Sequence, residues 1–220
     1  MAHLFGTDEV GRDLLARAWL GGARSLTLGL ALTALHLATG LGMALLAGRS
    51  RMLRRIVLSL SDLIASVPAT LLALLLLAFL RPGYGALVLA LAVGGWVAYA
   101  RIALVQLDAL RGDPSLQQAK LAGAGAFRRL RAHLLPRMAP VLLAQASAGV
   151  GAVALVEGGL SFLGVGLPPD LASWGQMLAS ARAVFLVSPW PMLWPALGLF
   201  LLLRATGLNL GLEERIHERP

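Results

Sequence analysis

Side chains that could perform catalysis or hold a metal are few in this sequence. The 220 residues include no cysteine, four histidines and eleven acidic residues, so disulfides and thiolate metal sites are excluded. The long apolar segments contain no paired carboxylates, no histidine pair and no nucleophile beside a base. Ser161 lies in GLSFL (159–163), which is not the Gly-x-Ser-x-Gly turn of hydrolases. The sequence therefore predicts that the chain is not an enzyme and holds no metal.

Nucleotide binding is also not expected. The phosphate-binding sequence Gly-x-x-x-x-Gly-Lys-Ser/Thr does not occur, and the one lysine, Lys120, follows an alanine. We expect no cofactor in this chain. Any ATP used with it is bound and hydrolysed by a separate polypeptide.

Three polar side chains interrupt long apolar segments. They are His36, Glu157 and Ser161. Because ionisable groups within a membrane face cavities or partners by default, these three are candidates for a translocation path. The alternatives are a helix–helix hydrogen bond for His36 and a solvated position near the membrane surface for Glu157.

The composition indicates a membrane protein. Of all residues 58% are hydrophobic and 14% are charged, and the mean hydropathy is +0.76, whereas soluble domains are roughly 45–50% apolar and about 25% charged. A disordered chain is excluded and a soluble enzyme is disfavoured. The net charge of +8 fits a membrane surface better than a nucleic acid, because basic residues collect in cytoplasmic loops.

The apolar segments predict an all-α, polytopic membrane protein with about five transmembrane helices. Each segment has about 20 residues without Asp, Glu, Lys or Arg, the length needed to cross a bilayer. A sixth segment (158–169) is too short to span and is expected to extend the fourth helix or to be re-entrant. Gly94 and Gly95 favour close helix packing, and Trp174, Trp190 and Trp194 are expected at the membrane interface. The five segments are 25–48, 63–80, 82–100, 138–156 and 183–203.

The distribution of basic residues predicts the orientation. Fourteen of the nineteen lie in the first and third loops between these segments and in the tail, and the side richer in arginine and lysine is cytoplasmic. We therefore expect an external amphipathic N-terminal segment (1–24), a transmembrane domain (25–210) and a cytoplasmic tail (211–220). The N-terminus is outside and the C-terminus is inside.

The longest polar stretch, residues 108–137, is here called the basic loop. Pro114 after Asp113 is a signal for the start of a helix, and apolar residues then recur at helical spacing. Gly123 and Gly125 interrupt this stripe, which predicts a bend between two short helices or close approach by a partner. Pro136 is expected to end the pattern before the fourth segment. The alternative is a solvated loop facing lipid headgroups.

The basic loop resembles the EAA loop of binding-protein-dependent ATP-binding cassette importer permeases. The sequence QQAKLAG (117–123) and the later Leu135-Pro136 carry this resemblance, although glutamines replace the usual Glu-Ala at 117 and 118. The resemblance implies that the loop is a cytoplasmic coupling element that contacts an ATPase. The residues implied in this contact are Gln117, Ala119, Gly123, Gly125, Phe127, Arg128, Arg129, Leu135 and Pro136.

Two further blocks resemble the C-subunit type of dipeptide, oligopeptide and nickel permeases. They are GTDEVGRD (6–13) with GARSL (22–26), and EGGLSFLGVG (157–166) with SWG (173–175). Members of that group usually have one more helix before the first block. The two interpretations are a natural five-span variant and a chain whose first helix is missing.

The resemblance implies a permease subunit of an ATP-driven importer in the bacterial inner membrane, moving peptides or nickel and metal-chelate solutes by alternating access. It also implies a second permease subunit, two cytoplasmic ATPase subunits and an external solute-binding protein as partners, in a lipid bilayer and without nucleic acid. A helical exporter or channel subunit is the alternative.

Overall fold

The computed structural model describes residues 6–8, 11–81, 83–168 and 170–217, with side chains as far as residue 207. The regular elements in these residues are all helical, as the sequence predicts. A 3-10 turn covers Leu110–Gly112 and a π-helical turn covers Leu130–Leu134. The α-helices are α1 (Leu14–Ala47), α2 (Arg51–Ala65), α3 (Ala69–Phe79), α4 (Tyr84–Ala109), α5 (Pro114–Leu121), α6 (Ala126–Arg129), α7 (Leu135–Phe162), α8 (Trp174–Ala181) and α9 (Trp190–His217).

Three of these helical runs are long and apolar enough to cross a membrane. Within the described residues they are Leu14–Ala47, Tyr84–Gly112 and Ala126–Phe162, and the bent pair α2 and α3 adds a fourth if it forms one span. The fifth predicted segment, 183–203, starts seven residues too early, because α9 begins at Trp190; this helix contains Pro195 and Arg204. The helices thus form the polytopic arrangement that the composition predicts.

Helix α1 begins earlier than its apolar segment suggested. The Asp13 side chain accepts a hydrogen bond from the Ala16 amide at 2.8 Å, and the helix continues from Leu14 without a break to Ala47. Residues 14–24, which we expected to belong to a separate external amphipathic segment, are therefore its first turns. Nothing between them and the apolar segment ends a helix, because no proline is present and glycine costs only about 1 kcal/mol.

The first of two compact units comprises Met1–Thr33, Pro68–Val93 and Ser147–Pro220. In this unit, glycines leave room for the ring of one tryptophan. The Trp174 indole lies against Gly22 and Gly198, where a Cβ atom would come within 2.5 and 2.6 Å of the ring. Its Nε1 donates to the carbonyl oxygen of Ala18 at 2.9 Å. Trp174 therefore packs α8 against α1 and α9, and its expected position at the membrane interface remains a prediction.

The rest of the first unit is held by an aliphatic core. Its buried members come from α1, α3, α4 and α7 and from the segment that follows α7. The largest buried side chains among them are Leu32, Leu87 and Leu160.

The second unit comprises Ala34–Val67 and Gly94–Ala146. Its core contains Val57, Leu104, Met138 and Leu142. A Cβ atom on Gly95 would lie 2.0 Å from the His36 ring, and one on Gly40 would lie 2.6 Å from Cβ of Tyr99. These glycines let α1 and α4 approach closely, which confirms the packing predicted for Gly95.

Candidate functional site

Within the basic loop, the first α-helix after α4 is α5, and its start is capped by a side chain. Asp113 Oδ1 accepts hydrogen bonds from the Ser115 amide at 2.9 Å, the Leu116 amide at 3.3 Å and the Ser115 hydroxyl at 2.6 Å. Pro114 occupies the first turn of α5, where its missing N–H group costs no hydrogen bond. The helix start that Asp113-Pro114 predicts is confirmed.

Arg137 ties this cap to the beginning of α7. Its Nη2 donates to Ser115 Oγ at 3.0 Å, and its guanidinium forms an ion pair with Asp113. Hydrogen bonds from the Ser115 hydroxyl first, and from Arg137 and the loop amides next, lower the pKa of Asp113 to about 2. No local pattern in the sequence indicated this contact, because Ser115 and Arg137 lie 22 residues apart.

The low pKa of Asp113 predicts how the cap responds to pH. A carboxylate whose pKa is lower in the folded protein stabilises the fold above its unfolded pKa of about 3.9 and loses this effect as pH falls through its folded pKa. Hydrogen-exchange protection of the Ser115 and Leu116 amides, corrected for intrinsic rates, should stay constant from about pH 5 to 8 and fall only below about pH 4. Asp113→Asn should lower protection across the whole range, and a midpoint near neutral pH would contradict the assignment.

A glycine turn joins α5 to α6. Gly123 has φ +77°, a conformation that side-chain-bearing residues rarely adopt. The Ala124 amide donates to the Ala119 carbonyl oxygen at 2.9 Å, and Gly125 begins α6 in an extended conformation. The predicted bend between two short helices is confirmed.

Two large apolar side chains flank this turn and point away from the protein. Leu121 is 89% exposed and Phe127 is 74% exposed. Phe127 was a predicted site residue, whereas Leu121 was missed because it lies outside the apolar stripe of the loop. Its signal was its position as the last residue of α5, directly before the small residues of the turn.

The remaining predicted contact residues surround this pair on the loop. Gln117 is exposed, with its Nε2 donating to the Gly112 carbonyl oxygen at 3.4 Å, and Ala119 is half-buried. Arg128 is exposed and Arg129 is half-buried. The loop thus presents an apolar pair beside amide and basic groups.

Pro136 does not end the helical pattern as we expected. Helical structure is continuous over Ala126–Phe162, with Leu135 and Pro136 at the start of α7. In an α-helix a proline ring clashes with the carbonyl four residues earlier. Here the preceding turn is π-helical, and the Leu135 amide donates to the carbonyl oxygen of Leu130 five residues earlier. A wider turn of this kind gives the proline ring room.

The structure brings two of the three predicted translocation-path residues together. Glu157 and Ser161 are both fully buried in the first unit, with 2.8 Å between Ser161 Oγ and Glu157 Oε1. Ser25 Oγ donates to Glu157 Oε2 at 3.1 Å, and the Leu167 amide donates to Ser161 Oγ at 3.0 Å. His36 lies in the second unit, buried against Gly95. A role of these residues in translocation remains a prediction.

Comparison with known proteins identifies the family. A family model described as the binding-protein-dependent transport system inner membrane component matches residues 37–208. The chain belongs to this family. As a binding-protein-dependent transport component it is a multi-pass inner membrane protein, which fits the importer interpretation of the sequence and not the exporter or channel alternative.

Curated relatives of this inner membrane component are peptide permeases. It is 35% identical to the probable peptide ABC transporter permease protein y4tQ of Sinorhizobium fredii, over 93% of this chain and 70% of the relative. It is 31% identical to the oligopeptide permease OppC and 33% identical to the dipeptide permease DppC of Bacillus subtilis. These matches cover 88% and 86% of this chain, and 64% and 59% of those relatives. They confirm the resemblance to C-subunit permeases, and the chain spans 59 to 70% of the relatives' length.

A solved structure supports the fold of this inner membrane component. The crystal structure of an amino acid ABC transporter with histidines superposes with a TM-score of 0.68, covering 91% of this chain and 94% of that chain. The sequence identity is 19%, so this likeness concerns the fold alone.

Proposed function

We propose that this inner membrane component is the permease subunit of an ATP-driven peptide importer and that its basic loop docks on a separate ATPase subunit. The observation that carries the proposal is the exposed pair Leu121 and Phe127 on either side of the Gly123 turn. Exposing a large apolar side chain instead of burying it costs about 1.5–3 kcal/mol. A partner that covers both side chains recovers this free energy.

The connections of the loop support a mechanical role. The cap on α5 is joined to α7 through Arg137, and α6 continues through the π-helical turn into α7. A displacement of the docked loop would therefore be passed directly to a helix long enough to span the membrane. ATP acts through the partner ATPase. When ATP binds there, the contacts between the loop and the ATPase change in each of two states of the permease. The difference in free energy between these contacts shifts the permease from one state to the other.

The assembly that follows has a second permease subunit, two cytoplasmic ATPase subunits that bind ATP, and an external solute-binding protein. What supports it is the family, whose description names a binding-protein-dependent system. Peptides are the substrate class that we favour, because the relatives named above are peptide permeases. No relative named here supports nickel.

Substitution of Gly123 tests the coupling proposal. Gly123→Leu places a side chain in a left-handed conformation, which costs about 1–2 kcal/mol, and adds bulk to the proposed docking face. We expect ATP-dependent uptake in membrane vesicles to fall about tenfold or more, because a loss of 1.4 kcal/mol or more of docking free energy corresponds to this factor. The amount of permease in the membrane should not change.

Gly164→Leu is the matched control for Gly123→Leu. Gly164 also has a positive φ, of +84°, and open space at its Cβ position, but it lies outside the basic loop. The Gly164→Leu substitution therefore imposes similar backbone strain without altering the docking face. Normal uptake by a well-expressed Gly123→Leu variant, or an equal loss in both variants, would reject docking through this turn.

The proposed orientation places the N-terminus outside, and the basic loop and C-terminus in the cytoplasm. It rests on the distribution of basic residues. Because the chain has no cysteine, single cysteines report topology. Cysteine at Leu186, which is 98% exposed, should react with an impermeant thiol reagent in intact cells, and cysteine at exposed Ala126 only after permeabilisation. Labelling of position 126 from outside would overturn both orientation and docking.

A further inference from the structure

A cleft lined by basic residues lies in the second unit, between the basic loop and the ends of α1 and α4. Its volume is about 960 Å³, and no lining residue is acidic. Four bases line it: Arg49, Arg111, Lys120 and Arg129. Most of the other lining residues are apolar. The cleft therefore combines positive charge with an apolar surface.

Three of these four bases have no acidic partner among the residues that the structure describes. Arg111 pairs with Asp108 at 3.2 Å, and Asp108 is also held by Arg54 at 3.0 and 2.5 Å. In the described part of the chain, no carboxylate lies within ion-pair distance of Arg49, Lys120 or Arg129. Their charge is available to an anionic ligand.

The same order of residues occurs on both helices that border the cleft. Leu45 lies near the end of α1, and Arg49 follows four residues later. Leu107 lies near the end of α4, and Arg111 again follows four residues later. Both helices belong to runs long enough to span a membrane. The apolar lining residues thus lie at the ends of the spanning helices, and the bases lie just beyond them. A phospholipid has the same order, with its acyl chains next to its charged phosphate.

We propose that this cleft binds one anionic phospholipid. The phosphate lies among Arg49, Lys120 and Arg129, and the first carbons of the acyl chains lie against Leu45 and Leu107. Basic pockets between spanning helices on the cytoplasmic side are suited to such headgroups. Leu121 does not line the cleft, whereas Phe127 does, so the cleft and the proposed docking face share a side chain and the test must follow both lipid and ATPase.

Lipid retention by the purified transporter complex tests this site. The complex in detergent is equilibrated with equal amounts of phosphatidylglycerol and phosphatidylcholine, and bound lipid is counted by native mass spectrometry. The variant with Arg49→Gln, Lys120→Gln and Arg129→Gln should lose one retained phosphatidylglycerol. Its preference for this lipid at that site should fall roughly a hundredfold, because each base near an anionic surface contributes about fivefold. Glycerol phosphate, which lacks acyl chains, should not displace the lipid.

Two further variants keep the result interpretable. Arg51→Gln, Arg55→Gln and Arg131→Gln together remove three exposed bases outside the cleft and should leave retention unchanged. Arg49→Lys with Arg129→Lys preserves the charge and should keep the preference for phosphatidylglycerol. Equal loss in both triple variants, no loss in the cleft variant, or displacement by glycerol phosphate would overturn the proposal. Loss of the ATPase subunit with unchanged lipid retention would instead assign the cleft to the ATPase.

Discussion

Replacing Leu121 and Phe127 together by serine should reduce recovery of the ATPase subunit with the permease by a factor of a hundred or more. Each side chain is largely exposed in the isolated chain, and burying one in an interface is worth about 1.5–3 kcal/mol. Losing both removes about 3–6 kcal/mol, and every 1.4 kcal/mol is a factor of ten in the dissociation constant. Uptake should fall with it, and the measurement is co-purification from detergent-solubilised membranes.

Leu186→Ser is the matched control for this double variant. Leu186 is even more exposed, at 98%, but lies between α8 and α9, outside the basic loop. Its replacement should leave recovery of the ATPase unchanged. Because exposed side chains contribute little to the stability of the isolated chain, the double variant should keep the melting temperature of the permease alone. Full recovery of the ATPase with the double variant would remove the observation on which the proposed docking rests.

Trp174→Ala should destabilise the permease strongly. The indole fills the space between Gly22 and Gly198 and donates to the Ala18 carbonyl oxygen, so its removal leaves a cavity among α1, α8 and α9. Substitutions of this kind cost about 3–5 kcal/mol. For a chain of this size each kcal/mol lowers the melting temperature by about 2–4 °C. The melting temperature of the purified permease should therefore fall by about 10 °C.

Trp19→Ala provides the comparison for Trp174→Ala. The Trp19 side chain is 79% exposed in α1, so its removal opens no cavity, and the melting temperature should change by less than about 2 °C. Trp174→Phe keeps much of the ring packing but loses the hydrogen bond, and should be intermediate. A melting temperature for Trp174→Ala equal to that of Trp19→Ala would contradict the packing role.

Local signals predicted the elements of the basic loop well. A capping aspartate with a following proline specifies the start of α5 whatever the rest of the chain does. A glycine among small residues likewise identifies the turn, since Gly123 adopts a backbone conformation that other residues avoid. The apolar segments 25–48, 82–100 and 138–156 located the three runs long enough to span a membrane for a similar reason: their length and composition are properties of the sequence itself. The segment 63–80 did not reveal the bend between α2 and α3.

Features that depend on distant contacts were not predicted. The predicted start of α1 was too late, because a helix can extend beyond the stretch that contains no charged residue. Trp174 was interpreted by its residue type alone, and its packing role depends on two glycines far along the chain. The contact between Asp113 and Arg137 joins the two ends of a loop. The exposure of Leu121 follows from the direction of the turn, which periodicity does not specify.

Photo-cross-linking from position 121 in the assembled transporter tests the central claim most directly. Benzoylphenylalanine replaces Leu121 in the permease, the complex is irradiated in native membranes, and the products are identified by mass spectrometry. The same probe at Leu186 serves as the control. Docking of the basic loop predicts a cross-link from position 121 to the ATPase subunit, and none to that subunit from position 186. Cross-links from position 121 to lipid alone, in a complex that retains its ATPase, would contradict the account.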